Sequence, residues 1–358
     1  MRILVLWADE KSPNLGVRAL ARGSKDLLTR VWPDAEFVFA DFTSRPEQIP
    51  WGRPRSLWKE RVLGRRGMQD WLAGFDVVWD TRSGDSFTDI YGPRRHAIMA
   101  SVHEFAVQAG AAVMIAPQTI GPFSSVRGRM LARRNLSRSA LVFARDPRSA
   151  LESHRLGRAV DATSSDLAFA IEAPAPTVSR DVMMNVSGLL WKDNPHTDAR
   201  VYRDAVRDII RTLLDGGRGV TLFPHVLDSH DHDNDVPALS ALTAEFPTDL
   251  DVFAPTGLDD VRSAVSSSQL VIGARMHACL NALSTGVPAI AMAYSRKFEP
   301  LLKSVEWPHS VALSGDPNPA AAVLLAVADE SLAVRARQTM HRGRSLLDAV
   351  APIVREAR

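Results

Sequence analysis

The sequence has almost no cysteine: Cys279 is the only one among 358 residues. A single thiol forms no intramolecular disulfide and cannot build a cysteine-based zinc or iron–sulfur site. This usage is typical of a protein kept in a reducing compartment, so we expect a cytoplasmic location.

Long apolar runs are also missing. The longest clean run, residues 320–328, is about half of what a bilayer-spanning helix needs. The apolar start at residues 1–7 ends at Asp9 and Glu10 without a small-residue cleavage site, so it predicts a first strand rather than a signal peptide. We therefore expect at most peripheral contact with a membrane.

An excess of charge of one sign is absent as well. Lys and Arg number 43 against 41 Asp and Glu, which leaves a net charge of +2. Such a balance gives no general attraction to nucleic acid, so we predict no nucleic-acid partner and expect any cationic function to be local. The chain is long enough for two domains with cores of ordinary size.

Short β-rich runs alternate with amphipathic helical patterns along both halves of the chain. This alternation predicts an α/β fold with two doubly wound, Rossmann-like domains that face a cleft. The predicted strands are residues 3–7, 37–40, 76–79, 112–115 and 141–143, then 182–186, 219–223, 250–253, 270–272 and 289–293.

A proline-rich segment at residues 172–178 is the best candidate for a linker, because two prolines in four residues favour an extended connection. We expect an N-terminal domain over residues 1–172, a C-terminal domain over residues 178–318 and a tail of one or two helices over residues 319–358. Residues 45–67, rich in Arg, Trp and Pro, show no clear pattern and predict an irregular or mobile insertion.

The most informative segment is the strand, helix, strand unit of residues 270–294. Its helix begins near Arg275 and His277, directly after an apolar strand that ends at Gly273. Ligands bind at the carboxyl ends of parallel strands, and a helix N-terminus with a guanidinium and an imidazole beside it suits an anion. The alternative is that Arg275 forms a surface ion pair and that His277 is an ordinary helix residue.

Other cationic candidates follow other strands. Lys297 lies beyond residues 289–293, Arg145 follows residues 141–143, and His225 follows residues 219–223. Asp146 is expected to cap the helix after Arg145. For Lys297, a solvated surface lysine is an equal alternative.

A second set of candidates offers polar contacts. Gln118 lies in a loop after a strand, Gly84 and Asp85 suit close backbone approach to a polar ligand, and Asn14 and Gly16 follow the first strand. For Gln118 a plain loop is nearly as good an interpretation. None of the glycine-containing loops matches a dinucleotide or Walker motif, so we predict no dinucleotide binding and no nucleotide triphosphate hydrolysis.

The acidic run at residues 228–235 contains the residue types that bind metals. The alternative is a solvated loop in which Asp233 or Asn234 caps a helix that begins near Val236, and we favour that alternative. We therefore predict no metal site. No Gly-x-Ser-x-Gly elbow is present, so hydrolase chemistry has no support.

The segment Gly273-Ala-Arg-Met-His-Ala, followed by Gly286-Val-Pro, resembles the signature of the polysaccharide pyruvyl transferase family. The resemblance extends over residues 1–305, because further short motifs recur in the same order. They are Asn14-x-Gly16, Gly84-Asp85-Ser86, Gln118-x-Ile-Gly121-Pro122, Ala144-Arg145-Asp146, Ser165-Asp166, Pro224-His225 and Tyr294-x-x-Lys297.

The resemblance implies a GT-B-like fold and transfer of the pyruvyl group of phosphoenolpyruvate to sugar hydroxyls of a glycan or lipid-linked glycan, to form a ketal. Phosphoenolpyruvate is then a co-substrate, and no other cofactor or metal is expected. The implied roles are catalysis for His277 and Arg275, donor binding for Arg145, Lys297, Arg275 and His225, and acceptor binding for Asn14, Gly16, Gly84, Asp85 and Gln118.

The residues fit this chemistry independently. A substrate with a carboxylate and a phosphate needs fixed cations, and His277 can exchange a proton near neutral pH. The sequence departs from many relatives at Val17, Arg18 and Ser83, which lie in the half expected to bind the acceptor.

Two other functions stay open at this point. The same helix N-terminus would suit the diphosphate of a nucleotide sugar, as in a GT-B glycosyltransferase, and a non-catalytic module that binds anionic glycans would need the same cations. The sequence leaves the acceptor sugar and the oligomeric state open.

Overall fold

The structure, a computed structural model, describes residues 1–175, 177–229 and 233–357. The described chain forms two six-stranded sheets with helices between successive strands. Every strand pair in both sheets is parallel. The prediction of an α/β fold with two doubly wound sheets is therefore confirmed.

The chain divides into two compact units, and the division crosses the sequence more than once. The first unit contains Met1–Ser12, Leu20–Ala170 and the chain end from Ser345. The second contains Pro13–Ala19 and Ile171–Arg344. A single linker near residue 175 therefore does not describe the whole division, because Pro13–Ala19 and the chain end from Ser345 each belong with the half that is distant in sequence.

The first unit is built on a sheet of order β2-β1-β3-β4-β5-β6. Its elements, with short 3-10 turns at Arg82–Gly84 and Leu167–Ala170, are β1 (Arg2–Leu6), α1 (Leu15–Thr29), β2 (Glu36–Ala40), α2 (Pro54–Leu63), α3 (Met68–Ala73), β3 (Val77–Asp80), α4 (Pro93–Gln108), β4 (Ala112–Gln118), α5 (Val126–Arg138), β5 (Leu141–Ala144), α6 (Pro147–Arg155) and β6 (Ala162–Thr163). The start of α1, as far as Ala19, belongs to the second unit.

The second unit is built on a sheet of order β12-β11-β10-β7-β8-β9. The remaining elements of the chain are β7 (Arg180–Asn185), α7 (Gly188–Trp191), α8 (Ala199–Asp215), β8 (Val220–Phe223), α9 (Val236–Glu245), β9 (Leu250–Val252), α10 (Leu258–Ser266), β10 (Ser268–Gly273), α11 (Met276–Ser284), β11 (Ala289–Ala293), α12 (Phe298–Ser304), β12 (Ser310–Ala312), α13 (Pro319–Val327), α14 (Leu332–Asp348) and α15 (Val350–Glu356).

Burial explains why the central strands are continuous apolar runs. Every residue of β3, β5 and β8 is buried, as expected for parallel strands covered by helices on both faces. Helix starts follow local chemistry: Pro147 is the first residue of α6, and the Asp146 carboxylate accepts a hydrogen bond from the Ser149 N–H. The predicted cap at Asp146 is confirmed.

Residues 45–67 differ from the irregular insertion that the sequence predicted. They contain helix α2, and Trp51 and Leu57 are fully buried in an apolar cluster. The Trp51 ring lies 5.0 Å from the ring of Trp7. Tertiary burial of these side chains stabilises a helix that has no clear apolar periodicity of its own.

Two other features of the secondary structure differ from the expectation. The short strands β6 and β12 were not predicted, because two or three residues carry no recognisable alternation. The chain from Pro319 contains three helices rather than one or two. No helix in the described parts of the chain combines the length and the apolarity needed to cross a bilayer.

Candidate active site

The second sheet has a change of direction in its strand order between β7 and β10. From β7 the chain adds β8 and β9 on one side and then returns to place β10 on the other side. In open parallel sheets this arrangement creates a crevice at the carboxyl ends of the two central strands. Asn185 ends β7 and Gly273 ends β10, so Arg275 and His277 follow directly at that crevice.

A side chain from β7 fixes the start of helix α11. The Asn185 Oδ1 atom accepts a hydrogen bond from the backbone N–H of Arg275 at 3.0 Å. Helix α11 then begins at Met276, which places His277 in its first turn. The sequence-predicted position of His277 at a helix N-terminus is thus confirmed.

The guanidinium of Arg275 is held by two acidic residues. Its Nε and Nη2 atoms donate to Asp235 Oδ1 at 3.1 and 2.7 Å, and Nη1 donates to Asp233 Oδ1 at 2.7 Å. Nη2 also donates to the Asp233 carbonyl at 2.6 Å, and Arg275 is only 7% exposed. Arg275 lies where the sequence placed it, but it forms a buried ion pair rather than the surface pair or the open anion contact that we considered.

Asp235 is the centre of this arrangement. Its buried carboxylate accepts six hydrogen bonds, two of them from Arg275 and one from the amide of Asn185. The others come from the backbone N–H groups of Gly188, His225 and Val226, at 2.8 to 2.9 Å. One carboxylate therefore joins the ends of β7 and β8 to the start of α9 and to Arg275.

The acidic run that contains Asp235 differs in part from our expectation. Helix α9 begins at Val236 as predicted, and Asn234 Oδ1 accepts a hydrogen bond from the Val236 N–H. Asp235 is buried, however, and is not part of a solvated loop. Residues 230–232 of the run lie outside the described residues, and the described part of the chain has no cluster of three potential metal ligands.

The segment Pro13–Ala19 brings Asn14 and Gly16 to His277. Asn14 forms an antiparallel bridge with Val226, and its Oδ1 accepts a hydrogen bond from the Gly16 N–H at 2.9 Å. A Cβ atom on Gly16 would lie 2.7 Å from His277 Nδ1. The backbone at Gly16 therefore packs against the imidazole, within the second unit.

His225 is a buried neighbour of this pair, and its hydrogen bonds determine its tautomer. Arg262 Nη1 donates to Asn281 Oδ1 at 3.0 Å, so the Asn281 amide nitrogen must face His225 Nε2, also at 3.0 Å. Because that amide nitrogen only donates, His225 Nε2 accepts and the ring proton lies on Nδ1. Burial first, and then the charges of His277 and Arg275, hold the pKa of His225 well below its ordinary value.

Lys297 lies with two aromatic rings beyond β11. Its Nζ is 6.0 Å from the centre of the Tyr294 ring, and the His196 ring is 5.2 Å from the same ring. Burial lowers the pKa of His196, Lys297 lowers it further and Asp233 partly opposes both. His196 was missed, because it lies in a loop beyond α7 and follows no strand.

Arg145 and Gly84 lie in the first unit and contact each other. Arg145 is fully buried, where Nη1 donates to Asp166 Oδ2 at 2.6 Å and Nε donates to Thr119 Oγ1 at 3.0 Å. Gly84 has a φ of +79°, and a Cβ atom there would lie 3.2 Å from Arg145 Nη1. Arg145 is thus held in a buried ion pair, and Gly84 leaves the room for it.

The other polar candidates of the first unit also have internal partners. Gln118 is fully buried, and its Nε2 donates to the Asp80 carbonyl at 3.1 Å, so it is not the open loop residue that we expected. Asp85 is half-buried and accepts a hydrogen bond from the Tyr91 hydroxyl at 2.9 Å.

The sequence matches the model of one protein family, described as polysaccharide pyruvyl transferase, over residues 14–296. The chain belongs to the polysaccharide pyruvyl transferase family. The matched range contains Asn14, Gly16, Arg275 and His277 and ends just before Lys297. The resemblance found in the sequence is therefore confirmed. Comparison with curated proteins gives no match.

The fold is similar to that of solved structures with GT-B architecture. S. aureus MnaA with UDP has a TM-score of 0.63 and 10% identity, covering 99% of this chain and 95% of that one. Anabaena Alr3699/HepE with UDP-glucose has a TM-score of 0.58 and 12% identity, and the match covers 99% of this chain and 98% of that one. The UDP-GlcNAc 2-epimerase of Neisseria meningitidis has a TM-score of 0.59 and 9% identity, and the match covers 99% of this chain and 100% of that one. These similarities show a two-domain α/β fold of GT-B type.

Proposed function

We propose that this protein transfers the pyruvyl group of phosphoenolpyruvate to two hydroxyls of a sugar in a glycan or lipid-linked glycan, to form a cyclic ketal and release phosphate. Family membership supports a pyruvyl transferase. The observation that carries the proposal is the placement of His277: it lies in the first turn of α11, at the crevice between β7 and β10, with the backbone of Gly16 against its ring.

The proposed reaction balances without an external oxidant or reductant. A proton adds to the methylene carbon of phosphoenolpyruvate, and the oxygen of a sugar hydroxyl forms a bond to C2 as that hydroxyl loses its proton. The C2–O bond to phosphate then breaks, and a second hydroxyl adds to C2 and closes the ring. The proton of the second hydroxyl leaves with the phosphate.

His277 is the group that exchanges the proton with the reacting centre in this proposal. The first N–H groups of α11 favour the negative charge of the donor, and Lys297 supplies a cation at the end of the neighbouring strand β11. Since its guanidinium binds Asp233 and Asp235, Arg275 acts as a positioning residue that holds the loop before α9 against α11.

His225 has a different role from His277 in this proposal. Its Nε2 accepts a hydrogen bond from Asn281, so this nitrogen is occupied, and its depressed pKa keeps the ring neutral near pH 7. A neutral imidazole beside His277 avoids repulsion when His277 takes up a proton. We therefore propose that His225 orients groups at the crevice and does not carry the transferred proton.

The deciding experiment compares two donors with a panel of sugar acceptors. We expect phosphate release from phosphoenolpyruvate, an acceptor mass gain of about 70 Da from condensation with pyruvate, and full activity after EDTA treatment, since the proposal uses no metal or bound cofactor. Release of UDP from UDP-glucose instead would favour a nucleotide-sugar glycosyltransferase, which the UDP in the structurally similar proteins makes the second candidate. Inactivity with both donors would contradict both candidates.

A further inference from the structure

Three helices of the first unit begin side by side. Helices α2, α4 and α5 follow strands β2, β3 and β4, and their N-terminal ends line one cavity of about 580 Å³. Along their length Trp58 of α2 donates to Ser101 of α4, and Arg134 of α5 donates to Glu104 of α4. The helices therefore run parallel, and their positive dipole ends converge on the cavity.

The cavity carries a concentrated positive charge. Four exposed arginines line it, and none of them forms an ion pair within the described residues; they are Arg53, Arg55, Arg94 and Arg127. The acidic residue in the lining, Asp89, accepts four hydrogen bonds from the backbone and hydroxyl groups of Ser124 and Ser125. Its carboxylate binds at the start of α5 and forms no ion pair with the four arginines in the described residues, so positive charge stays in excess at the cavity.

Apolar side chains project from the rim of the same cavity. Ile90 and Tyr91, between the lining residues Asp89 and Pro93, are 50% and 44% exposed. On α5, Val126 and Met130 are each 66% exposed, and they line a neighbouring concavity of about 360 Å³ with Arg129 and Arg133. Exposed aliphatic side chains grouped around arginines are unusual on a surface that faces only water.

We propose that this face, here called the arginine face, binds an anionic phospholipid surface. Lipid phosphates would pair with the cavity arginines, and Ile90, Val126 and Met130 would enter the boundary between headgroups and acyl chains. A soluble phosphate would need no apolar rim, and single-stranded nucleic acid is bound mainly through aromatic platforms, of which this rim has only Tyr91. The proposal does not depend on the reaction proposed above.

The test is co-sedimentation of the full chain with vesicles of pure phosphatidylcholine and with vesicles that also contain phosphatidylglycerol. We expect binding to the mixed vesicles only, weakened by salt. The variant Arg55→Gln/Arg127→Gln should bind about 30-fold more weakly, because each of the two removed cations contributes about 1 kcal/mol of binding free energy near an anionic lipid surface. Its matched control, Arg200→Gln/Arg211→Gln on the exposed face of α8, removes the same charge and should bind like the wild type.

A second variant tests the apolar rim. Ile90→Ser/Met130→Ser keeps every arginine, so it should bind at low salt but lose the part of binding that persists at high salt. Circular dichroism should show unchanged folding in all variants. Failure of the wild type to bind mixed vesicles, or equal weakening by the α8 control, overturns the proposal. Binding of a single-stranded oligonucleotide that depends on the arginines but not on Ile90 and Met130 would instead assign the face to nucleic acid.

Discussion

The backbone of Gly16 lies so close to the imidazole of His277 that a methyl group at residue 16 would stand 2.7 Å from Nδ1. Alanine at this position must therefore displace the imidazole. We expect Gly16→Ala to lower kcat by about 10-fold or more while the protein stays as stable as the wild type, because alanine is also the better helix former in the first turn of α1. Gly52→Ala, where the added methyl group meets open space, is the matched control. Equal activity of the two variants would show that the position of the His277 ring does not matter.

Replacement of His277 tests proton transfer directly. His277→Gln keeps similar size and hydrogen-bonding capacity but cannot change its protonation state near pH 7. We expect kcat to fall by about 10² to 10⁴, with phosphoenolpyruvate still bound and the melting temperature within a few degrees of the wild type. Steady-state kinetics and donor-induced thermal shifts measure both effects. A variant that retains most of its kcat would exclude His277 as the acid or base.

Substitution of Arg275 separates a positioning role from donor contact. Arg275→Lys keeps the charge but loses the planar fork that reaches both Asp233 and Asp235. We expect a loss of about 3 kcal/mol in the free energy of unfolding, since a buried carboxylate loses partners, together with lower kcat. Urea unfolding measures the first effect, and Arg211→Lys in an exposed ion pair is the control. A raised KM for phosphoenolpyruvate at unchanged stability would restore the donor-binding role predicted from the sequence.

A substitution at Asn281 changes the hydrogen-bond partner of His225 and leaves His225 itself in place. Asn281→Asp replaces the amide nitrogen that faces His225 Nε2 by an oxygen, and the new carboxylate stays paired with Arg262. An acceptor at that place favours a proton on Nε2, so we expect a raised pKa and the other tautomer of His225. Nitrogen-15 NMR of the histidine rings reports both. If the spectrum of His225 is unchanged, the assignment of its tautomer is incorrect.

Stability should depend on pH through the buried histidines. Burial is the main cause that lowers the pKa of His96 to about 4, whereas an unfolded histidine titrates near 6.5. Between those pH values the unfolded chain binds a proton that the folded chain excludes. The contribution of His96 to the free energy of unfolding is therefore fully present above about pH 6.5 and is lost as the pH decreases below it. Lowering the pH from 7 to 5 should therefore reduce the free energy of unfolding by about 2 kcal/mol through His96. Urea unfolding of His96→Gln should show a pH dependence smaller by that amount, and an identical dependence would contradict the assignment.

Much of the fold and the centre of the site could be predicted from the sequence. The alternation of apolar runs and helical patterns identified both sheets, and the change from strand to helix after Gly273 placed His277 at a helix start. These are local signals, carried by residues that are adjacent in the chain. Helix α2 is the counterexample, because it depends on burial of Trp51 and Leu57 by distant parts of the chain.

The pairing of charges could not be predicted in the same way. Arg145 and Arg275 were identified as cations that meet a ligand, yet each binds a carboxylate that is distant in sequence, Asp166 and Asp235. Asp235 looked like a solvated residue because the seven residues before it, 228–234, are all polar. Its role depends on N–H groups from the Asn185 side chain at the end of β7, from the start of α7 and from the loop after β8, which only the folded chain brings together.

The exchange of short segments between the two units limits how this protein can be divided. Residues 13–19 are attached to the second unit by backbone hydrogen bonds, including Leu15 N–H to the His225 carbonyl and Leu227 N–H to the Pro13 carbonyl. A fragment that starts at Ile171 would lack Gly16 beside His277, and a fragment that stops at Ala170 would lack the chain end from Ser345. No single cut of the polypeptide yields either unit whole, so fragments for biophysical work need a circular permutation or two-piece complementation.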